Sequence, residues 1–309
     1  MPYSARMQKG HLYSMFFAPR GNERMADTGM QIAQQYLSPF DKIIGLMGQS
    51  GSGKSMLIKG MFPGLELTND DEGVNVRPLP LLNVDDTGFY TPHTYHLDIR
   101  FESAFMQMHE LANAILYAVS KGKRVIVEHF DLVYPLLGRN AHLLMGVGEE
   151  IIITRPTLFG PKPKDITDIV FDSLSYRLKV HTAEDICQYF LSKWGIEGHM
   201  FENADVRRGF ILSFQYKPDI DLVDLERKIN DLIDEDLPIS FADDHHILMG
   251  DELRPCSAPR LHVGSTGAVG KLTLLKELLQ EPITDRWLMV GIVGDVDDVS
   301  DLNRITMRT

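Results

Sequence analysis

The segment Gly48-Gln49-Ser50-Gly51-Ser52-Gly53-Lys54-Ser55 fits G-x-x-x-x-G-K-[ST] at every specified position. Glycines at this spacing let the backbone curl tightly enough for its N–H groups to surround phosphate oxygens. A helix starting at the end of the loop turns its positive end toward the same anion. Lys54 would reach the β- and γ-phosphates, and the Ser55 hydroxyl would hold Mg²⁺. The expected chemistry is binding of a nucleoside triphosphate, ATP or another, together with magnesium. A chance Gly/Ser turn is the alternative. The flanking residues argue against it, because the apolar run Lys42–Met47 precedes the loop and Met56–Met61 can supply the first helical turns after it.

Other residues could do chemistry at a distance from this loop. Asp85 and Asp86 close a strand candidate at Leu81–Val84, and Glu128 closes another at Arg124–Glu128. Each acid fits either a catalytic role at a strand end or a plain turn. His93 and His96, beside Asp98, fit an acceptor pocket or a solvated loop. Asp243-Asp244-His245-His246 fits a polar turn before a strand, with metal binding as the alternative. Cys187 sits among apolar residues and reads as core.

The elements that must position these groups follow from periodicity. Residues 24–37 carry Met25, Met30, Ala33, Tyr36 and Leu37 at near-helical spacing, ended by Pro39. Phe101, Phe105, Met108, Leu111, Ala112, Ile115, Leu116 and Val119 predict a single long amphipathic helix, stopped at Lys121-Gly122. Short apolar strands at Lys42–Met47, Arg124–Glu128 and Glu150–Thr154 alternate with helices. That pattern predicts an α/β fold with a mostly parallel sheet covered on both faces. Gly160-Pro161-Lys162-Pro163-Lys164 reads as a linker between a domain at 1–160 and another at 165–309. In the second, Leu222, Leu225, Ile229, Leu232 and Ile233 mark a helix between strand candidates near 209–216 and 246–249, an α+β pattern.

The runs IIGLMGQSGSGKS, NVDDTGFY and RVIVEHFDLV resemble the uridine kinase and phosphoribulokinase group of P-loop kinases over about residues 42–155. The resemblance implies a P-loop NTPase sheet and phosphoryl transfer to a hydroxyl acceptor of unknown identity. It implies that Asp85 or Asp86 takes the acceptor proton, that Glu128 lies near the metal and acceptor, and that Lys54 serves catalysis. One departure stands out. Those kinases carry an arginine-rich lid after the strand matching Ile151–Thr154, whereas this chain offers only Arg155 followed by Pro156. Slow hydrolysis or a nucleotide-gated switch is therefore a second expectation.

Residues 170–275 are similar to the second additional domain of alanyl- and threonyl-tRNA synthetases, an editing-type domain that also occurs alone. Three stretches carry the likeness in order: Val180–Ile186 (VHTAEDI), Asp224–Ile233 with Leu237-Pro238-Ile239, and Gly250–Gly270. The resemblance implies a zinc site at His181, Asp185, Cys256 and His262, and tRNA or an aminoacyl ester as partner. Two departures accompany it: Asp185 stands where the family has a second His, and the Cys256–His262 spacing is two residues longer. Thr182 and Asp185 also fit a capping box that would leave His181 outside the helix.

Composition narrows the class. At 309 residues, 44% apolar and 24% charged, the chain can bury a full core. A net charge of −12 excludes a broad basic footprint, so double-stranded DNA is not an expected partner. No run approaches the roughly 18 apolar residues of a membrane span, and no membrane partner is expected. With two cysteines there is no disulfide framework, and no secretory signal is expected; a cytoplasmic location is the expectation.

Overall fold

The computed structural model describes residues 13–67, 81 and 93–294. The expectations at Asp85, Asp86, Val84 and the acidic segment 295–301 lie outside the described residues. Among those described, seven helices and fourteen strands form a mixed α/β protein with several sheets. No helix among them is long and apolar enough to cross a membrane. The chain divides into two compact units, Met1–Phe16 with Glu23–Ser173, and Phe17–Asn22 with Leu174–Thr309.

The first unit is built on one six-stranded sheet. Its strands are β1 (Tyr13–Phe17), β2 (Ile43–Met47), β3 (Thr94–Asp98), β4 (Arg124–Glu128), β5 (Leu143–Val147) and β6 (Glu150–Thr154), in the spatial order β1-β6-β5-β2-β4-β3. Strand β2 runs parallel to both β4 and β5, and β3 runs parallel to β4. All five β2 residues are buried, which requires cover on both faces. A Cβ on Gly45 would strike the Phe130 ring at 2.6 Å, so that face packs directly on a helix. Its helices are α1 (Asn22–Tyr36), α2 (Lys54–Met61), α3 (Ile99–Glu102), α4 (Met108–Ser120) and α5 (Phe130–Leu137). Leu111, Ile115, Phe130, Val133 and Leu137 from α4 and α5 join Ile43, Met47, Val125 and Val127 in one core.

One expectation is refined and one corrected here. Strand β6 is antiparallel to β5, because only Gly148 and Glu149 separate them and a helical crossover needs a dozen residues or more. The long helix over 101–119 is two helices. Asp98 caps α3, the chain leaves helical form at 103–107, and Glu110 Oε2 accepts the Gln107 N–H at 3.0 Å to start α4. The turn between them keeps helix-like bonds from Phe105 N and Met106 N to Glu102 O, so the apolar spacing persists across the break.

The supposed linker at 160–164 is instead the start of α6 (Pro163–Lys193), a 31-residue helix. Proline is well placed in a first helical turn, where its missing N–H loses nothing. Asp165 Oδ2 accepts the Lys162 N–H at 2.8 Å at the same end. The boundary between units falls within this helix, at Ser173/Leu174.

In the second unit, α6 buries Val180, Ala183, Ile186, Cys187 and Leu191 against α7 (Leu222–Asp234) and an antiparallel sheet. That sheet contains β7 (Phe201–Val206) and β8 (Gly209–Phe214). A three-stranded sheet, β9 (Ile239–Asp243), β10 (His246–Met249) and β11 (Glu252–Pro255), follows. The larger sheet is completed by β12 (Leu272–Leu274), β13 (Leu279–Gln280) and β14 (Trp287–Val293), in the order β12-β14-β8-β7 with β13 paired to β14.

Candidate functional sites

The loop at 48–53 joins the buried end of β2 to α2. Gly48, Gly51 and Gly53 all take positive φ, at 151°, 80° and 87°. A Cβ on Gly48 would lie 2.8 Å from both Ser52 Oγ and the Val147 carbonyl, so the close approach itself demands glycine. Gln49, Ser50 and Gly51 are exposed, Ser52 is buried, and Ser55 is half-buried in the first turn of α2. Lys54 is buried. Its Nζ donates to the Gln49 carbonyl at 2.9 Å and lies 3.5 Å from Glu128 Oε2.

Glu128 sits in register with Asp98 at the C-terminal ends of β4 and β3. Its other oxygen lies 3.0 Å from His96 Nε2. Burial alone would raise this carboxyl. The His96 hydrogen bond and the Lys54 ammonium outweigh it and hold Glu128 below its usual range, as a carboxylate. His96 is therefore a buried strand residue and not a solvated loop group. His93 is exposed and contributes its carbonyl to the Arg124 N–H. Asp98 Oδ1 accepts the N–H groups of Arg100 and Phe101. His129 follows Glu128 in left-handed conformation, buried at 4% exposure, and burial with Lys54 nearby lowers its pKa to about 4. His129 escaped the sequence reading and Asp98 entered it only as a neighbour of His93 and His96, although the alternation of Thr94–Asp98 was a readable strand signal.

Arg155 does not project as a lid residue. It is buried and holds the Asp41 carboxylate bidentately, with further bonds to the Tyr36 and His142 carbonyls.

In the second unit, His181 and Asp185 lie one turn apart within α6. The capping-box reading of Thr182 is thereby corrected, since no helix starts there. Cys256 and His262 flank a short turn in which Leu261 N donates to Ala258 O. That turn absorbs the longer spacing. Four side chains converge: His181 Nε2 to Cys256 Sγ 3.3 Å, Cys256 Sγ to His262 Nε2 3.2 Å, and Asp185 Oδ2 to His262 Nε2 3.4 Å and to His181 Nε2 3.9 Å. A tetrahedral ion with bonds of about 2.0–2.3 Å sets its donors about 3.3–3.6 Å apart, so this set fits zinc.

The surroundings favour ligation. Thr182 Oγ1 donates to the Leu178 carbonyl and accepts from Val263 N. Its remaining lone pair faces His262 Nδ1 at 3.2 Å and must receive the ring proton, which leaves Nε2 bare toward Cys256. Burial drives His181 to a pKa of about 3, so it stays neutral. Burial and the Asp185 charge raise the Cys256 thiol; a bound cation would reverse that. A cavity of about 240 Å³ borders Asp185, lined among others by Tyr189, Phe201, Met249, Glu252 and Arg254. Arg254 stacks 3.7 Å over the Tyr189 ring, and its Nε has no hydrogen-bond partner among the described residues.

Asp243–His246 forms the hairpin turn between β9 and β10, where Asp243 accepts from His245 N and pairs with His246. Cys187 is buried core. No protein-family model matches the chain, and no curated protein matches it.

Proposed function

We propose that the chain is a P-loop protein binding ATP or another nucleoside triphosphate with magnesium, and that its first unit is a kinase-like phosphotransferase. The observation that carries this reading is the conformation of the loop at 48–54. Its glycines occupy positive φ and Lys54 is tethered to Gln49 and Glu128, from which a triphosphate would draw it. The placement of β2 between parallel neighbours β4 and β5 supports it, since ligands of such sheets bind outside the strand C-termini where the chain order reverses. Gly48 to Gly53 would wrap the phosphates, Lys54 would contact the terminal ones, and Ser55 would hold the magnesium. When bound, that ion neutralises charge on the transferred phosphoryl group. Glu128 and Asp98 stand at the adjoining strand ends, and Asp85 and Asp86 stay candidates for the acceptor base. With Arg155 committed to Asp41, turnover should be slow. Calorimetry with ATP, GTP, CTP and UTP, followed by phosphate release, tests this. A folded protein that binds none of them refutes it.

A second reading concerns the second unit. The spacing of His181, Asp185, Cys256 and His262 favours a zinc centre of the synthetase-editing type, with an aminoacyl ester of tRNA as ligand. Zinc would polarise the ester carbonyl. The cavity beside Asp185 would receive the acyl group, with Arg254 placed to hydrogen-bond it. Zinc analysis combined with hydrolysis of mischarged tRNA tests this. A zinc-loaded protein inert toward every aminoacyl-tRNA would leave the ion a structural role.

A further inference from the structure

We infer that the segment Phe17–Asn22 is a strap that positions the zinc ligands of the second unit, with Arg20 as its anchor. The inference rests on the zinc reading above. The rest of β1 and of α1, on either side of this segment, belongs to the first unit, whereas the segment itself belongs to the second. The four ligands come as two pairs on separate carriers: His181 and Asp185 on α6, Cys256 and His262 on the turn. A tetrahedral set forms only if the gap between the carriers is held to within about 0.5 Å.

The strap bonds to both carriers. On the α6 side, Arg20 Nε donates to Glu184 Oε2 at 2.8 Å, and the Arg177 guanidinium donates to the Pro19 carbonyl. On the turn side, the Asn22 N–H donates to the Ser257 carbonyl at 3.3 Å, directly beside Cys256. Arg20 also reaches Asp205 Oδ1 at 3.0 Å and the Gly209 carbonyl at 3.3 Å, which ties the strap to β7 and β8. Arg20 is 4% exposed and Glu184 2%, so this is a buried, charge-assisted contact with exacting geometry. At its other end the turn is held by Thr182, whose Oγ1 accepts from Val263 N. Thr182 thus fixes the His262 end and the strap fixes the Cys256 end. Arg20 touches no ligand atom itself; it acts through Glu184, the neighbour of Asp185 on α6.

The test reads metal geometry and affinity in the full chain. Protein stripped of metal is titrated with Co²⁺, whose absorption bands report tetrahedral coordination and the Cys256 thiolate, and Zn²⁺ affinity follows from competition with a chelator. Arg20→Gln is combined with Glu184→Gln, so that no buried charge is stranded. This pair should lower zinc affinity at least about tenfold and alter the cobalt bands. Asn22→Pro removes only the N–H bonded to Ser257, at the first position of α1, where proline is well tolerated. It should lower affinity about three- to tenfold, the worth of one hydrogen bond. Urea unfolding of the metal-free variants reads any purely structural loss. A double variant that is less stable yet keeps the wild-type affinity and cobalt spectrum would overturn the positioning role. If the double variant does not fold, Asn22→Pro decides alone on the same two readouts. Wild-type protein that binds neither Co²⁺ nor Zn²⁺ would remove the zinc reading and the strap's role together.

Discussion

The guanidinium of Arg155 holds the carboxylate of Asp41 through two bonds, at 2.6 and 2.9 Å, with Asp41 only 1% exposed. Arg155→Ala should destabilise the first unit by about 3–5 kcal/mol, because it strands a buried charge. The measurement is a urea or thermal unfolding midpoint. A loss under about 1 kcal/mol, the range of a surface pair, would show that the pair is dispensable.

His142 gives that unit a pH dependence. Its Nδ1 accepts the Ile43 N–H at 3.1 Å, and burial lowers its pKa below the ordinary value of 6.5. Between those two values the unfolded chain binds the proton and the folded one does not. Stability should therefore fall as pH drops below about 6.5, by at most about 1.4 kcal/mol per unit from this group. His142→Gln should flatten the profile between pH 6.5 and 5. An unchanged slope would remove His142 as its source.

Lys54→Ala should weaken nucleoside triphosphate binding at least tenfold, about 1.4 kcal/mol, while the protein stays folded. The ammonium is the side-chain cation of the loop, and its present partners are a carbonyl and Glu128. Equal affinity in calorimetry would remove the phosphate role of this loop.

Zinc supplied at neutral pH should bind at one equivalent and be lost on Cys256→Ser. Thr182→Val should lower zinc affinity about 10–100-fold, since it releases the proton that fixes the His262 tautomer. Mass spectrometry under native conditions reads both. Stoichiometric zinc retained by Cys256→Ser would place the metal elsewhere.

Much of the local structure was legible along the chain. Strands β2, β4 and β6 stand where apolar runs put them, and α7 buries the apolar stripe read from its spacing; α1 forms where expected but buries Met25, Gly29 and Ile32 and leaves Met30 exposed. Helix α6 was hidden because its buried face carries Arg177, His181, Thr182 and Glu184 among the apolar residues, which erases the stripe that periodicity detects. Its proline-rich start read as a linker, although Pro163 in a first turn is a helix opening.

The residues from Gly48 to Ser55 are contiguous, so sequence alone determined which backbone could cradle a phosphate there: glycine freedom and a helix start are local properties. A spacing of four allowed His181 and Asp185 to share a helix face, but the structure decided that both lie inside α6 and not at a cap. The tertiary structure also decided that Cys256 and His262 arrive within 3.3–3.4 Å of that face, and that Asp98 stands in register with Glu128. Those meetings depend on how the 256–262 turn closes on α6 and how β3 pairs with β4. Such long-range pairings are fixed by burial of the core, which no short window of sequence contains.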